Sequence, residues 1–210
     1  MMDIAIFGAG IAGLMAAITL RAQGHSCRIY ERMRRDFESG MGFILLPEGI
    51  SFLQSFGVKL AGEISGMPLH RYCCRNSAGE LLYDQPLPAG SLSLRRRDLI
   101  AALTRALPDD SLPIYNAELA GLNFDDAGKI SSARLTSGAI VKADLYISAE
   151  GIRSRARQAL FPGWPSVPAQ VQELVGLVRC AETVRWGGNN LNKFHAGGGG
   201  IALGTMAVDP

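Results

Sequence analysis

Residues 8–13, Gly-Ala-Gly-Ile-Ala-Gly, constrain this chain more than any other segment. A GxGxxG spacing by itself is weak, because glycine triplets occur by chance. Its setting is far more restrictive. Residues 3–7 read as a buried strand before it, residues 11–23 as a helix after it, and Gly24 as the stop of that helix. Residues 26–31, SCRIYE, read as a second strand that ends on an acid, Glu31. Strand, glycine turn, helix and strand in that order predict a βαβ unit with parallel strands. Each glycine has its own task. Gly8 permits a tight turn, Gly10 lets a pyrophosphate approach the backbone, and Gly13 lets helix and strand pack closely. Ile11 and Ala12 complete the loop, where the helix offers free N–H groups and its positive dipole end to phosphates. Glu31, with Arg32 beside it, can accept hydrogen bonds from a ribose. An acid there argues against a 2′-phosphate but does not choose between FAD and NAD.

The apolar run at residues 4–20 also resembles a signal or membrane segment. Asp3 stands where a positive flank is needed, the run is short for a span, and its glycines belong to the loop. Hydrophobic residues make up 48% and charged residues 19%, so a packed core is expected and disorder is not. A net charge of +2 is too small to argue for nucleic acid or a membrane surface. Cys27, Cys73, Cys74 and Cys180 form no CxxC pair, so no metal site is expected, and their usage fits a reducing cytoplasm.

Further along, residues 47–56 predict a short helix and residues 69–84 a hairpin turning at Ser77-Ala78-Gly79. Residues 97–107 predict an amphipathic helix stopped by Pro108. Strands follow at 119–124, 130–135 and 139–141, then a buried strand at 144–148 and a basic helix at 153–160. Pro162, Pro165 and Pro168 mark a linker, and the remainder reads as strand-like.

Two further segments carry charge in telling places. Arg95, Arg96 and Arg97 open a helix, the wrong end for cations, and each opposes the helix dipole by about 0.3–1 kcal/mol. Asp98 offsets part of this, and a bound anion would relieve the rest. Residues 143–157, ADLYISAEGIRSRAR, read as a strand inside a parallel sheet, an acidic-Gly turn at its carboxyl end, and a helix with a basic face from Arg153, Arg155 and Arg157. Glu150 there could accept from a ribose or a water.

GAGIAGL with YER, GMGFILLPEG at 40–49, RRRDL at 95–99 and ADLYISAEGIRSRAR occur in this order. Together they resemble the aromatic-ring hydroxylase family of FAD monooxygenases, the p-hydroxybenzoate and salicylate hydroxylase type. The resemblance implies an α/β fold: a Rossmann-like FAD-binding βαβ domain with a parallel sheet, plus a partial β-rich substrate domain. It gives residues 1–65 and 92–163 to FAD, and residues 66–91 and 164–210 to the substrate region. It puts Gly8, Gly10, Ile11, Ala12 and Gly13 at the pyrophosphate and Glu31 with Arg32 at the adenosine ribose. Arg96 matches the arginine of the family's R-x-D-L pattern and would reach the flavin side, and residues 40–49 would pass near the flavin ring. Glu150 and Gly151 stand where the family has an Asp-Gly turn that helps hold FAD and receive NAD(P)H. Glu150 adds one methylene of reach to that position.

The implied activity is hydroxylation of a small, aromatic substrate with NAD(P)H and O2, through a flavin hydroperoxide. The resemblance covers the N-terminal part of a member, so the 210-residue chain alone is expected to be inactive. A reductase or halogenase on the same fold, or a nucleotide-binding module without turnover, remain open alternatives. No catalytic residue is assigned. His25, His70 and His195 read as structural, while Trp186, Phe194 and residues 197–200 are candidates to border a pocket.

Overall fold

The computed structural model describes residues 1–35, 42–60, 66–164, 167, 169–179, 188–197 and 200–209. In chain order its strands are β1 (Asp3–Phe7), β2 (Ser26–Tyr30), β3 (Gly42–Leu45), β4 (Gly66–Pro68), β5 (Arg71–Asn76), β6 (Leu81–Pro86) and β7 (Leu92–Arg95). They continue with β8 (Leu119–Phe124), β9 (Ile130–Leu135), β10 (Ile140–Val141), β11 (Leu145–Ser148), β12 (Asn190–His195) and β13 (Ala202–Thr205). The helices are α1 (Ile11–Ala22), α2 (Pro47–Ser55), α3 (Arg96–Arg105) and α4 (Arg155–Leu160). Contacts divide the chain into two units, Met1–Glu38 with Leu103–Glu173, and Ser39–Ala102 with Leu174–Pro210.

In the first unit β1 is the middle of a parallel sheet ordered β11-β1-β2. Its sequence, DIAIF, is apolar on both faces because both are covered. Ala5, Phe7 and Tyr30 join Leu119, Ala133, Leu135, Val141 and Ala156 in one buried cluster, so the antiparallel sheet β10-β9-β8 covers that face. Alternation turns Ile4 and Ile6 to the opposite side, where α1 packs through Gly13, Leu14, Ala17 and Ile18. The Phe7 and Tyr30 rings stack at 5.5 Å between centroids.

The second unit holds a mixed sheet, β13-β12-β5-β6, and a small antiparallel sheet, β3-β7-β4. The β5–β6 hairpin turns where the sequence predicts. Asn76 Oδ1 accepts from the Ala78 and Glu80 amides at 3.0 and 2.9 Å, and Gly79 takes a left-handed φ of +84°. Cys73 and Cys74 are both buried on β5, where neighbouring side chains point to opposite faces.

Several expectations are corrected. The strand at Leu145–Ser148 is parallel to β1 but lies at the edge of the described sheet, with Leu145 40% exposed. Among the described residues β1 is its one strand partner. α3 starts at Arg96 and ends at Arg105, because its end tightens: the Ala106 and Leu107 amides bond three residues back, to Leu103 and Thr104, before Pro108. α4 starts at Arg155, since Gly151–Arg153 forms a 3-10 turn and Ser154 caps the helix. Residues 169–179 contain no strand. β3, β4 and β7 carry no strand signal in the sequence, since three or four residues cannot show a period of two.

Candidate functional site

The site grows from the register of the parallel sheet. Phe7 lies opposite Tyr30 on one side and Ser148 on the other. The next residue of each strand, Gly8, Glu31 and Ala149, therefore falls on one carboxyl edge, where ligands of open α/β sheets bind. Two backbone bonds fix the row: the Gly8 amide donates to the Tyr30 carbonyl, and the Ala149 amide to the Phe7 carbonyl, both at 2.7 Å.

Gly8 must be glycine for two reasons. Its φ is +107°, and a Cβ there would lie 2.4 Å from the Ala149 carbonyl oxygen. A Cβ on Gly13 would lie 1.9 Å from the Gly8 carbonyl oxygen and 3.3 Å from the Ala149 Cβ. Gly10 differs. It is the N-cap of α1 with φ −75° and ψ 179°, a conformation open to any residue. No side chain caps α1, and its first turn holds no acid. Ile11 is half-buried and Ala12 exposed at this end. The first N–H groups of such a helix have no partner within it and carry the positive end of the dipole.

Glu31 stands beside this loop and braces it. Its Oε2 accepts from the Ala9 amide at 2.7 Å, and its Oε1 from the Met33 amide at 2.8 Å. A carboxylate has about four acceptor positions, so two remain for a ribose. Its backbone is held as well, by Ile114 and Ala117. Arg32 is exposed. Burial pushes the neighbouring Tyr30 phenol above its ordinary pKa, with Arg28 opposing the shift.

The acidic turn is more self-contained than the sequence suggests. Glu150 Oε2 accepts from Ser148 Oγ at 3.0 Å, Ser154 Oγ at 2.9 Å and the Ala156 amide at 3.1 Å. Its Oε1 accepts from the Arg155 amide at 3.2 Å. Ser154 Oγ in turn accepts from the Arg157 amide at 3.0 Å. Gly151 has φ +74° with open space where a Cβ would stand, so conformation alone asks for glycine. The expected basic face is corrected: Arg155 pairs with Glu118 at 3.2 Å, Arg157 donates to the Ile152 carbonyl at 2.6 Å, and Arg153 belongs to the 3-10 turn.

Eight of the ten predicted positions thus share the carboxyl edge of the first unit: Gly8, Gly10, Ile11, Ala12, Gly13, Glu31, Glu150 and Gly151. Arg32 follows directly. Arg96 belongs to the second unit. There, Arg95 ends β7 and pairs with Asp98 at 2.7 Å and Asp209 at 3.1 Å, while Arg97 reaches Asp98 at 3.6 Å. Arg96 is half-buried, and no described residue forms an ion pair with it. His25 Nδ1 accepts from the Met2 amide at 3.3 Å, and His70 and His195 are exposed. Cys180, Trp186, Gly198, Gly199 and the start of the 40–49 segment lie outside the described residues. Sequence reasoning missed Ala149 and Ser154. A serine just before a short helical run was a readable N-cap signal; the Ala149 contact is tertiary and left none.

The arrangement fits a pyrophosphate. The helix end is uncapped, the close approaches are made by residues without side chains, and an acid with spare acceptor positions stands at the next strand's end. An α/β unit with this loop at the carboxyl edge of parallel strands is a dinucleotide-binding fold. A family profile described as FAD binding domain matches residues 1–167. The chain belongs to that FAD-binding family.

It is 30% identical over 170 residues to 3-amino-4-hydroxybenzoate 2-monooxygenase of Streptomyces cremeus, covering 75% of this chain and 41% of that one. It is 30% identical over 166 residues to 6-hydroxynicotinate 3-monooxygenase of Pseudomonas fluorescens, covering 75% and 42%. The chain thus spans about two fifths of the length of these relatives. Klebsiella pneumoniae HpxO, crystallised with FAD and uric acid, shares the fold with a TM-score of 0.74 at 22% identity, over 98% of this chain and 53% of that one. Among the described residues no helix is long and apolar enough to cross a membrane, and no metal-ligand cluster occurs.

Proposed function

We propose that this chain is the cofactor-holding part of an FAD-dependent monooxygenase, which uses NAD(P)H and O2 to hydroxylate a small aromatic or heteroaromatic substrate. The observation that carries this reading is the loop at residues 8–13, open at the uncapped end of α1 and flanked by Glu31. The FAD-binding family supplies the cofactor, and relatives that are aromatic monooxygenases supply the reaction class. Bound FAD would take reducing equivalents from NAD(P)H and activate O2.

The residues divide the work of holding it. The amides at the start of α1, with Gly10, Ile11 and Ala12, receive the pyrophosphate, while Gly8 and Gly13 let the loop close tightly. Glu31 takes the adenosine ribose, with Arg32 at its side. Arg96 supplies positive charge toward the flavin end, and the Glu150-Gly151 turn borders the cofactor. In this reading residues 1–65 and 92–163 serve FAD, and residues 66–91 and 164–210 serve the substrate. The buried, free Cys27, Cys73 and Cys74 fit a cytoplasmic setting.

The test uses the whole protein, at the length of its relatives, and follows NADH or NADPH oxidation with FAD, hydroxybenzoates or hydroxypyridines, and oxygen-18 gas. Oxygen-18 in a newly hydroxylated ring establishes monooxygenation. Substrate reduction without O2 uptake places the protein with other FAD oxidoreductases instead.

A further inference from the structure

Glu150 occupies the position from which an acid would be expected to face the cofactor, yet its carboxylate is turned inward. Four donors converge on it: the hydroxyls of Ser148 and Ser154 and the amides of Arg155 and Ala156, at 2.9–3.2 Å. Those donors belong to β11 before the turn and to the cap and first turn of α4 after it. One carboxylate therefore ties both ends of the turn together, and the methylene that distinguishes Glu from Asp extends its reach to the α4 amides. The turn in its turn touches the glycine loop. Ala149 is hydrogen-bonded to Phe7, and its carbonyl fills the space where a Gly8 Cβ would stand, at 2.4 Å. Gly8 then carries the contact to Gly13, at 1.9 Å by the same measure. The Ala149 backbone thus lies too close to Gly8 for a side chain between them and is hydrogen-bonded to the residue before it, so a displacement of Ala149 is transmitted to Gly8.

We infer that Glu150 is a positioning residue for the phosphate loop: it acts on FAD affinity through Ala149 and Gly8, without touching the cofactor. This rests on the reading of residues 8–13 as the pyrophosphate site. All four neighbours donate to the carboxylate, two of them backbone amides that have no acceptor to offer in return. Glu150→Gln keeps the shape but replaces one of the two acceptor oxygens with an NH2 group, so the Arg155 or the Ala156 amide loses its acceptor. Ser154→Ala removes one of the four donors and the α4 cap.

The test measures dissociation constants for FAD and for ADP, well below the melting temperature, with the wild-type chain, Glu150→Gln, Ser154→Ala and the double variant. ADP carries the pyrophosphate and adenosine but nothing of the flavin. The expected result is a loss of about tenfold or more for Glu150→Gln, equal for FAD and ADP. The double variant should be little worse than the worse single one, because both act on one network. The Gly8 amide resonance of the ligand-free Glu150→Gln chain should shift, while that of Gly128, in a distant turn, stays in place. A loss for FAD with ADP unaffected means direct contact with the flavin half and overturns the inference. Unchanged affinities with a lowered melting temperature reduce Glu150 to a stabilising residue and also overturn it. A wild-type chain that binds neither ligand overturns the FAD reading and this inference with it. The amide shift is read without ligand, so it separates that failure from an absent link between Glu150 and Gly8.

Discussion

Gly8 and Gly10 stand two residues apart and require glycine for different physical reasons. Gly8 combines a left-handed backbone with a carbonyl oxygen in the place of its Cβ. Gly8→Ala should therefore cost the ligand-free chain at least about 2 kcal/mol, as strain and overlap add. Gly10 has an ordinary backbone at the cap of α1. Gly10→Ala should cost less than about 1 kcal/mol of stability yet weaken FAD tenfold or more, because the methyl group enters the phosphate's approach. Urea denaturation and FAD titration of both variants check the contrast, and equal effects of the two on stability would refute it. Arg96 offers the opposite separation. Arg95 and Arg97 have carboxylate partners, whereas Arg96 sits at the positive end of α3 without a described one. Arg96→Ala should leave apoprotein stability unchanged or raise it by about 0.3–1 kcal/mol while weakening FAD. A destabilised variant with normal FAD affinity would make the arginine structural.

Among the elements, β1 and β2 owe their place to burial on both faces, and burial gives β2 a pH signature. Burial raises the pKa of the Cys27 thiol and the Tyr30 phenol, with Arg21 and Arg28 respectively opposing the shift. A group whose folded pKa is raised contributes stability that is fully present below its unfolded pKa, about 8.5 for Cys and 10 for Tyr. That stability is lost as pH rises through the folded value. The melting temperature should hold to about pH 8 and fall between about pH 9 and 11, and Tyr30→Phe should blunt the upper part of the fall. An identical decline in wild type and Tyr30→Phe would remove Tyr30 from the linkage. The same burial explains what was legible in the sequence. β1, α1, β2 and the β5–β6 hairpin carry their periodicity and turn residues in one continuous stretch, so local chemistry announces them. β3, β4 and β7 are too short to carry a period, and β11 pairs only with β1 among the described residues although its sequence is apolar, because coverage of a strand is a tertiary fact. Glu150 was legible as an acid in a turn, but the direction of its carboxylate depended on where Ser148, Ser154 and the α4 amides would fall.

In the whole molecule, the loop at residues 8–13 is proposed to hold FAD in preference to a nicotinamide dinucleotide. The loop geometry fits either, because both carry a pyrophosphate and an adenosine ribose; the FAD-binding family membership decides between them. A competitive titration of the wild-type chain with FAD, NADH and NADPH, followed by calorimetry and flavin fluorescence, measures this directly. The expected result is one FAD per chain, displaced by ADP, with NADH and NADPH binding more weakly, and a loss of about 1–3 kcal/mol in FAD binding for Glu31→Ala. NADH or NADPH binding more tightly than FAD, in competition with ADP and with the same dependence on Glu31, would contradict it.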